Sequence, residues 1–436
     1  MRTVLTIAGS DSIGGAGVQA DLKAIASLDL HGASALTAVT AQNTKRVERI
    51  LPLDVSDVIA QIDAVMDDSD VSAIKTGMLF SAEIAEAVSN RLKGLDIPIV
   101  VDPVMIAGVG DRLCSDGLLT SLRRSMLPLA TVVTPNKEEA ESLSGKRICS
   151  LDDAVAAAVA IKEMGPRAVL IKGGHLEGNG VIDLLYVDGK MIELKAPRWP
   201  VKVHGAGCTL ASYIAGNISR GMEVRSAVMD AKRRVTDAIA LSYPIGEGMN
   251  AINPMASKQK EAMRGERIES LRWMVERLEE GLPASWVPTS GGDVVYSLPA
   301  PQGFSEVCGI EGGLVIKGGR PRRIGDVRFD ASRELASVAI GLSIHDLART
   351  TVLALRGSER NIKVMKRSGM MWADYDLQIR SRDCSAIAET VGRGIEQTGF
   401  VPDIIFERDG MGTEPMILVN GRSPSDVLRK IGPVLH

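Results

Sequence analysis

The chain has 436 residues, 45% apolar and 24% charged, which excludes wholesale disorder and, at roughly 150 residues per domain, a single ordinary core. Its formal charge is −3 and aromatics make up 3%, which excludes a globally basic nucleic-acid binder and leaves little material for stacking single strands. The 44 glycines follow no G-X-Y period and point to many tight loops. Cys114, Cys149, Cys208, Cys308 and Cys384 are scattered without a CxxC or Cys/His cluster, the pattern of reduced thiols in a cytoplasmic protein and not of a zinc site. The apolar run near the start stops at Asp11, too short for a secretory leader, and nowhere do 18 apolar residues run together. No membrane partner is expected.

In chain order, TVLTIA (3–8) reads as a strand, followed by a glycine loop and a helical pattern over 18–30. Further strands are expected at 33–39, 72–78, 97–102, 130–134 and 168–172, with helices near 54–67, 81–93, 115–125 and 151–164. Short apolar strands alternating with helices predict a mainly parallel α/β sheet covered on both faces, with ligands beyond the carboxyl ends of its strands. Tyr243-Pro244, Gly246, Gly248 and Asn253-Pro254 mark a boundary. The expected division is a first domain at 1–254, a linker helix at 255–280 and a second, smaller α/β domain at 281–436.

The loop from Gly9 to Gly17 is neither a Walker A loop nor GxGxxG, and a tight β–α turn explains it equally well. His204-Gly205-Ala206-Gly207-Cys208-Thr209 opens a helical pattern. N–H groups bared there by Gly205 and Gly207 would form an anion hole, and the helix dipole would lower the Cys208 thiol pKa; a small buried residue is the plainer alternative. Asn136 and Glu139 are spaced to hold a hydrated Mg²⁺ beside phosphates, or simply as an N-cap and its capping-box partner. Lys172 ends one strand and offers a cation to nucleotide phosphates; Asp102 ends another and would orient Mg²⁺ or cap a loop.

Together TIAGSDSIGGAGVQADLKAI (6–25), TAVTAQNT (37–44), KTGML (75–79), VDPVM (101–105), GDRL (110–113), TPNKEEAESL (134–143), IKGGH (171–175) and HGAGCTLASYIAGNI (204–218) resemble the hydroxymethylpyrimidine/phosphomethylpyrimidine kinases of thiamine biosynthesis. The resemblance implies a ribokinase-like three-layer α/β sandwich that uses MgATP to phosphorylate the pyrimidine alcohol and then its monophosphate. It places Gln42 on the aminopyrimidine edge, with Gly9, Asp21 and Met78 nearby. Lys172, Asn136 and Glu139 would face ATP, Asp102 and Glu139 the magnesium, and Gly205, Gly207 and Cys208 the phosphoryl group in transit. Ile13 stands where Ser is usual in that family, Ala206 where Thr is usual, and Ala107-Gly108-Val109 alters the loop before Gly110.

Behind it, IGDVRFDASRELA (324–336), ERNIKVMKRSGM (359–370) and VPDIIFERDGMGTEPMILVNG (401–421) resemble the archaeal-type thiamine-phosphate synthase domain, with Thr413 where Lys is more usual. That resemblance implies joining the pyrimidine diphosphate to hydroxyethylthiazole phosphate with release of pyrophosphate. Such chemistry needs cations on the leaving diphosphate, for which Arg328, Arg333, Lys363, Lys366 and His345 are candidates. Asn361 and Glu414 are further substrate-side candidates, although a loop cap explains Glu414 as well. The alternative is a pyridoxal/pyridoxine kinase with a C-terminal regulatory ligand-binding domain. Small-molecule substrates, no nucleic acid and a homo-oligomer are expected.

Overall fold

The computed structural model describes residues 1–106, 113–173, 180–377, 384–407 and 414–435. Parts of the GDRL, IKGGH and GMGTEP motifs, with Ala107 to Asp111, Gly174, His175, Gly412 and Thr413, lie outside the described residues. The chain divides into two compact units, Met1–Lys258 and Gln259–His436. Among the described residues no helix is long and apolar enough to cross a membrane.

The first unit is built on a nine-stranded sheet of β1 (Thr3–Asp11), β2 (His31–Gln42), β3 (Val47–Pro52), β4 (Val71–Thr76), β5 (Ile99–Val101), β6 (Val132–Val133), β7 (Ala168–Ile171), β8 (Gly180–Val187) and β9 (Lys190–Pro197). Their order is β3-β2-β1-β4-β5-β6-β7-β8-β9. From β2 through β7 every neighbouring pair is parallel, so those strands end together at one edge. Strands β3, β8 and β9 join antiparallel at the sides. These outer strands escape the sequence pattern because they carry mixed polar and apolar residues on half-exposed faces.

Alternation along the strands sends side chains to two separate cores. Leu5 and Ile7 face one layer of helices, Val55–Asp68 and Ala82–Leu92 among them, with Ile62, Ile84 and Val88 in the contact. Val4, Val100 and Val132 face the other, where Ile25, Leu210, Tyr213 and Val228 pack. The result is the expected three-layer sandwich.

The second unit has a seven-stranded sheet over which α-helices lie on both faces, but its strands are mostly antiparallel. Among the described residues its one parallel pair is Trp372–Tyr375 with Ile404–Glu407. The segment expected as a linker helix belongs to this unit's core. It breaks near Met263, and the following helix, Arg264–Gly281, buries Leu271, Met274, Val275 and Leu278 against the sheet. Some of the charged residues that make the segment look like a linker are themselves tied in, Lys260 buried against Glu306 at 2.6 Å and Arg264 and Arg267 stacked on Phe329 and Tyr296. Four apolar residues at helical spacing are its buried stripe.

Candidate active sites

In the first unit the carboxyl ends of β1, β5, β6 and β7 surround a cavity of about 360 Å³. Ten of the proposed residues line it: Gly9, Gln42, Met78, Asp102, Asn136, Glu139, Lys172, Gly205, Gly207 and Cys208. They come from five strand ends and two helix starts, Asn136 with Glu139 on one and Gly205, Gly207 and Cys208 on the other, which is why motifs far apart in sequence meet.

Asp102 follows β5 and Lys172 follows β7, with the Lys172 Nζ 2.9 Å from Asp102 Oδ1. Thr134, just beyond β6 between them, donates its hydroxyl to the same oxygen at 3.0 Å. The other carboxylate oxygen, Asp102 Oδ2, is buried with no hydrogen-bond partner. Glu139 Oε2 lies 3.8 Å from Lys172 Nζ. Burial pushes the Glu139 carboxyl up to about 7, against the pull of Lys172 and with Asp102 adding to the rise. Burial alone would lower the Lys172 pKa, but Asp102 and Glu139 outweigh it and hold the ammonium charged. Asn136 and Glu139 form a reciprocal capping box, each accepting the other's backbone N–H at 2.8 Å. The capping reading of that spacing is therefore realised, while both side chains still border the cavity.

The opposite wall is the start of helix Ala206–Ser219, whose first N–H groups have no intrahelical acceptor. Its N-cap Gly205 has φ +93°, and a Cβ there would sit 1.8 Å from the Gly15 carbonyl oxygen. Only glycine permits that left-handed turn and that approach. Gly173 is equally constrained on the Lys172 side, where a Cβ would lie 1.6 Å from Ile182 O. The helix dipole does not lower the Cys208 thiol as expected. Burial pushes it up to about 11, and the nearby Lys75 ammonium offsets only part of this. Cys208 is thus a neutral thiol at pH 7.

Asp21 does not reach the cavity. It sits on the inward face of helix Gly17–Ser27, fully buried, and accepts from Thr6 Oγ1 at 2.6 Å, Lys75 Nζ at 2.7 Å and Ser212 Oγ at 2.8 Å. A carboxylate on an apolar helix face must be paired inside, and these partners consume it. It ties the Cys208 helix to the sheet and is not among the residues lining the cavity.

Six polar residues at the cavity were not singled out from the sequence, Asp11, Thr40 and His204 among them, with Ser10, Asp183 and Lys232. Asp11 Oδ2 accepts from Gly15 N at 3.0 Å and Ala16 N at 2.7 Å, folding the glycine loop around itself. His204 Nε2 lies 2.8 Å from the same oxygen. Their signal was position: Asp11 heads the glycine loop, and His204 directly precedes Gly205.

In the second unit the candidates do not form one site. Glu414 Oε1 pairs with Arg356 Nε at 2.6 Å, and Oε2 accepts from Thr289 N at 2.7 Å and Thr289 Oγ1 at 2.8 Å. Burial would raise the Glu414 pKa, but Thr289 and Arg356 outweigh it and keep the carboxyl below its ordinary value. Asn361 joins the same corner, though as a brace: its Nδ2 donates to Ser285 O at 3.1 Å and Arg356 O at 3.0 Å. Lys363 and Lys366 are exposed on helix Glu359–Lys366, with Lys366 Nζ over the Trp372 ring at 4.0 Å. That helix packs Met365 on one face of the sheet. Arg333 and His345 are the two ends of helix Arg333–His345, which packs on the other face. Arg328 pairs with Glu311 at 2.9 Å in the open. Lys363 and Lys366 thus stand on a helix on one face of the sheet, and Arg333 and His345 on a helix on the other.

Comparison with known proteins fits this geometry. Residues 11–253 match the family model for phosphomethylpyrimidine kinase, and residues 270–432 match that for thiamine-phosphate synthase ThiN. A hydroxymethylpyrimidine/phosphomethylpyrimidine kinase of Streptomyces coelicolor is 49% identical over 57% of this chain and 93% of its own length. The thiamine biosynthesis bifunctional protein ThiED of Geobacter sulfurreducens is 44% identical over 58% of this chain and 52% of its own. Among solved structures, the pyridoxal kinase from Staphylococcus aureus in complex with pyridoxal aligns with a TM-score of 0.56 at 34% identity, over 59% of this chain and 95% of its own. The chain is a member of the phosphomethylpyrimidine kinase family, with a ribokinase-like kinase unit followed by a ThiN-type thiamine-phosphate synthase domain.

Proposed function

We propose that this enzyme makes thiamine phosphate in three reactions. The kinase unit transfers a phosphoryl group from ATP to the hydroxymethyl oxygen of 4-amino-5-hydroxymethyl-2-methylpyrimidine, then a second to the monophosphate, releasing ADP each time. The synthase unit then joins the pyrimidine methylene carbon of the diphosphate to the ring nitrogen of hydroxyethylthiazole phosphate, and pyrophosphate leaves. The observation that carries the reading is one cavity lined by the Gln42 amide, beside His204, and by the Lys172–Asp102 pair, beside the bare helix start at Gly207. The pyridoxal alternative is weaker, because named pyrimidine kinases reach 49% identity where the pyridoxal kinase structures reach 34%.

The residues present fit MgATP. Asp102 Oδ2 is a buried orphan acceptor, and Gly207 has its Cβ position 3.0 Å from Lys172 Nζ, so a side chain there would fill the phosphate cradle. Mg²⁺ commonly takes one or two carboxylates beside substrate phosphates, which suits Asp102 and Glu139. Among the described residues no group of three or more such side chains would hold a metal alone. Bound magnesium would neutralise phosphate charge. Lys172 and the N–H groups of Gly207 and Cys208 stabilise the equatorial oxygens as charge develops, the main task in phosphoryl transfer. Cys208, as a neutral thiol, orients the hydroxyl and does not take its proton beforehand.

The test is substrate competition: with ATP and the full chain, kcat/KM for the hydroxymethylpyrimidine should exceed that for pyridoxal at least tenfold. Equal values would return the pyridoxal reading.

A further inference from the structure

The proton inventory around Gln42 determines which way its amide faces. Asp11 accepts at both oxygens, from Ile13 N at 3.2 Å on Oδ1 and from Gly15 and Ala16 N–H on Oδ2. Burial would raise its pKa, but His204 and the Ala16 and Ile13 N–H groups outweigh burial and keep it a carboxylate. His204 Nε2, 2.8 Å from Oδ2, must therefore carry a proton and donate it. The same ring nitrogen lies 3.3 Å from Gln42 Nε2. A nitrogen that donates has no lone pair for an amide N–H, so the amide must present its oxygen there.

Thr40 gives the same answer independently. Its hydroxyl has one proton, and Ser10 O, which can only accept, takes it at 2.9 Å. Toward the Gln42 amide, 3.3 Å away, Thr40 Oγ1 can then only accept. A half-turn of the amide turns its nitrogen to the Thr40 oxygen, which can accept, and its oxygen to the His204 N–H, which is already donated to Asp11 and reaches the amide only as the longer arm of a shared bond. The rest of Gln42 is fixed: Ser12 Oγ donates to its carbonyl at 2.9 Å and accepts its N–H at 2.8 Å. The His204 ring is also held, since a Cβ on Gly15 would come within 2.5 Å of its Cδ2.

We propose that His204, anchored by Asp11, is a positioning residue that with Thr40 fixes the Gln42 amide and so selects the heterocycle edge the cavity accepts. Held this way, Gln42 keeps one N–H and one oxygen lone pair for the ligand. A ring nitrogen beside an exocyclic amino group pairs with both. A ring with a hydroxyl beside a carbon does not. This rests on the pyrimidine reading above.

Steady-state kinetics of the full chain with hydroxymethylpyrimidine and ATP test it through H204F, T40V, Q42L and the two doubles with Q42L. T40V should raise the pyrimidine KM about tenfold, the loss of one hydrogen bond, and H204F, which removes only the weaker arm of a shared N–H, about threefold, while the ATP KM moves less than about twofold. On the Q42L background neither should raise it further, because both act through Gln42. Equal effects with and without Gln42, or parallel rises in both KM values, would overturn the proposal and leave a structural role. If H204F does not fold, the T40V cycle decides alone. Should Q42L itself leave the pyrimidine KM unchanged, the pyrimidine reading falls and takes this proposal with it; should Q42L raise it while H204F and T40V do not, only this proposal falls.

Discussion

Lys172 Nζ and Asp102 Oδ1 stand 2.9 Å apart across the ends of two strands that are not neighbours. Strand β6 lies between them and supplies Thr134 to the same oxygen. The pair is largely buried, so its charge is unscreened where phosphate would arrive.

Replacing Lys172 with Met should therefore lower kinase kcat by about 100-fold or more, the scale for losing one stabiliser of transition-state charge. The pyrimidine KM should hardly move, because Gln42 is held by Ser12, Thr40 and His204 and shares no contact with Lys172, which pairs with Asp102 and Glu139. Initial rates over both substrates check this. A pure rise in KM with kcat intact would remove Lys172 from phosphoryl stabilisation.

The Asp21–Lys75 pair is fully buried at both ends and lies outside the cavity lining. Breaking it by Lys75→Met leaves an uncompensated carboxylate and should cost about 3–5 kcal/mol, while Lys75→Met with Asp21→Asn should recover much of that. Thermal melts of the four proteins measure the cycle. If single and double lose equally, the pair is not the unit of stabilisation.

With its thiol near pKa 11, Cys208 should react with iodoacetamide at pH 8 about 100-fold more slowly than a thiol at the ordinary 9.0, and speed up steadily to pH 11. Exposed Cys149 serves as the internal comparison. Residue-resolved mass spectrometry follows both. Fast labelling of Cys208 at neutral pH would restore the low-pKa thiolate expected from the helix dipole. Cys208→Ala should still cut turnover while sparing pyrimidine binding, through lost orientation of the hydroxyl.

In the synthase unit Arg356 holds Glu414 at 2.6 Å at the corner where Asn361 braces the chain. Arg356→Met should impair thiamine phosphate formation by about tenfold or more, as one charged partner is left unpaired, and leave kinase rates unchanged. Unchanged synthesis would place the joining chemistry elsewhere in the unit.

The kinase fold and most of its site were legible because each strand is a short apolar run and each functional residue sits at a strand end or helix start. Asp21 misled because a motif match cannot distinguish a carboxylate facing the cavity from one facing the core; Thr6, Lys75 and Ser212 decide that, and they lie 15 to 191 residues away. Cys208 misled because the dipole is a local feature, while the burial that outweighs it comes from the tertiary fold. His204 and Asp11 were in the quoted motifs, but their role appears only when the two segments, 193 residues apart, meet. The second unit was hardest. Its antiparallel sheet separates helices that sequence order makes neighbours, so Lys363 and Lys366 fall on one face and Arg333 and His345 on the other.

The most direct measurement is to give the whole enzyme ATP, magnesium, the hydroxymethylpyrimidine and hydroxyethylthiazole phosphate, and follow all products by mass. Two ADP, one pyrophosphate and one thiamine phosphate per pyrimidine consumed is the predicted result. Accumulation of the pyrimidine diphosphate with no thiamine phosphate would contradict the synthase half, and an untouched pyrimidine would contradict the whole.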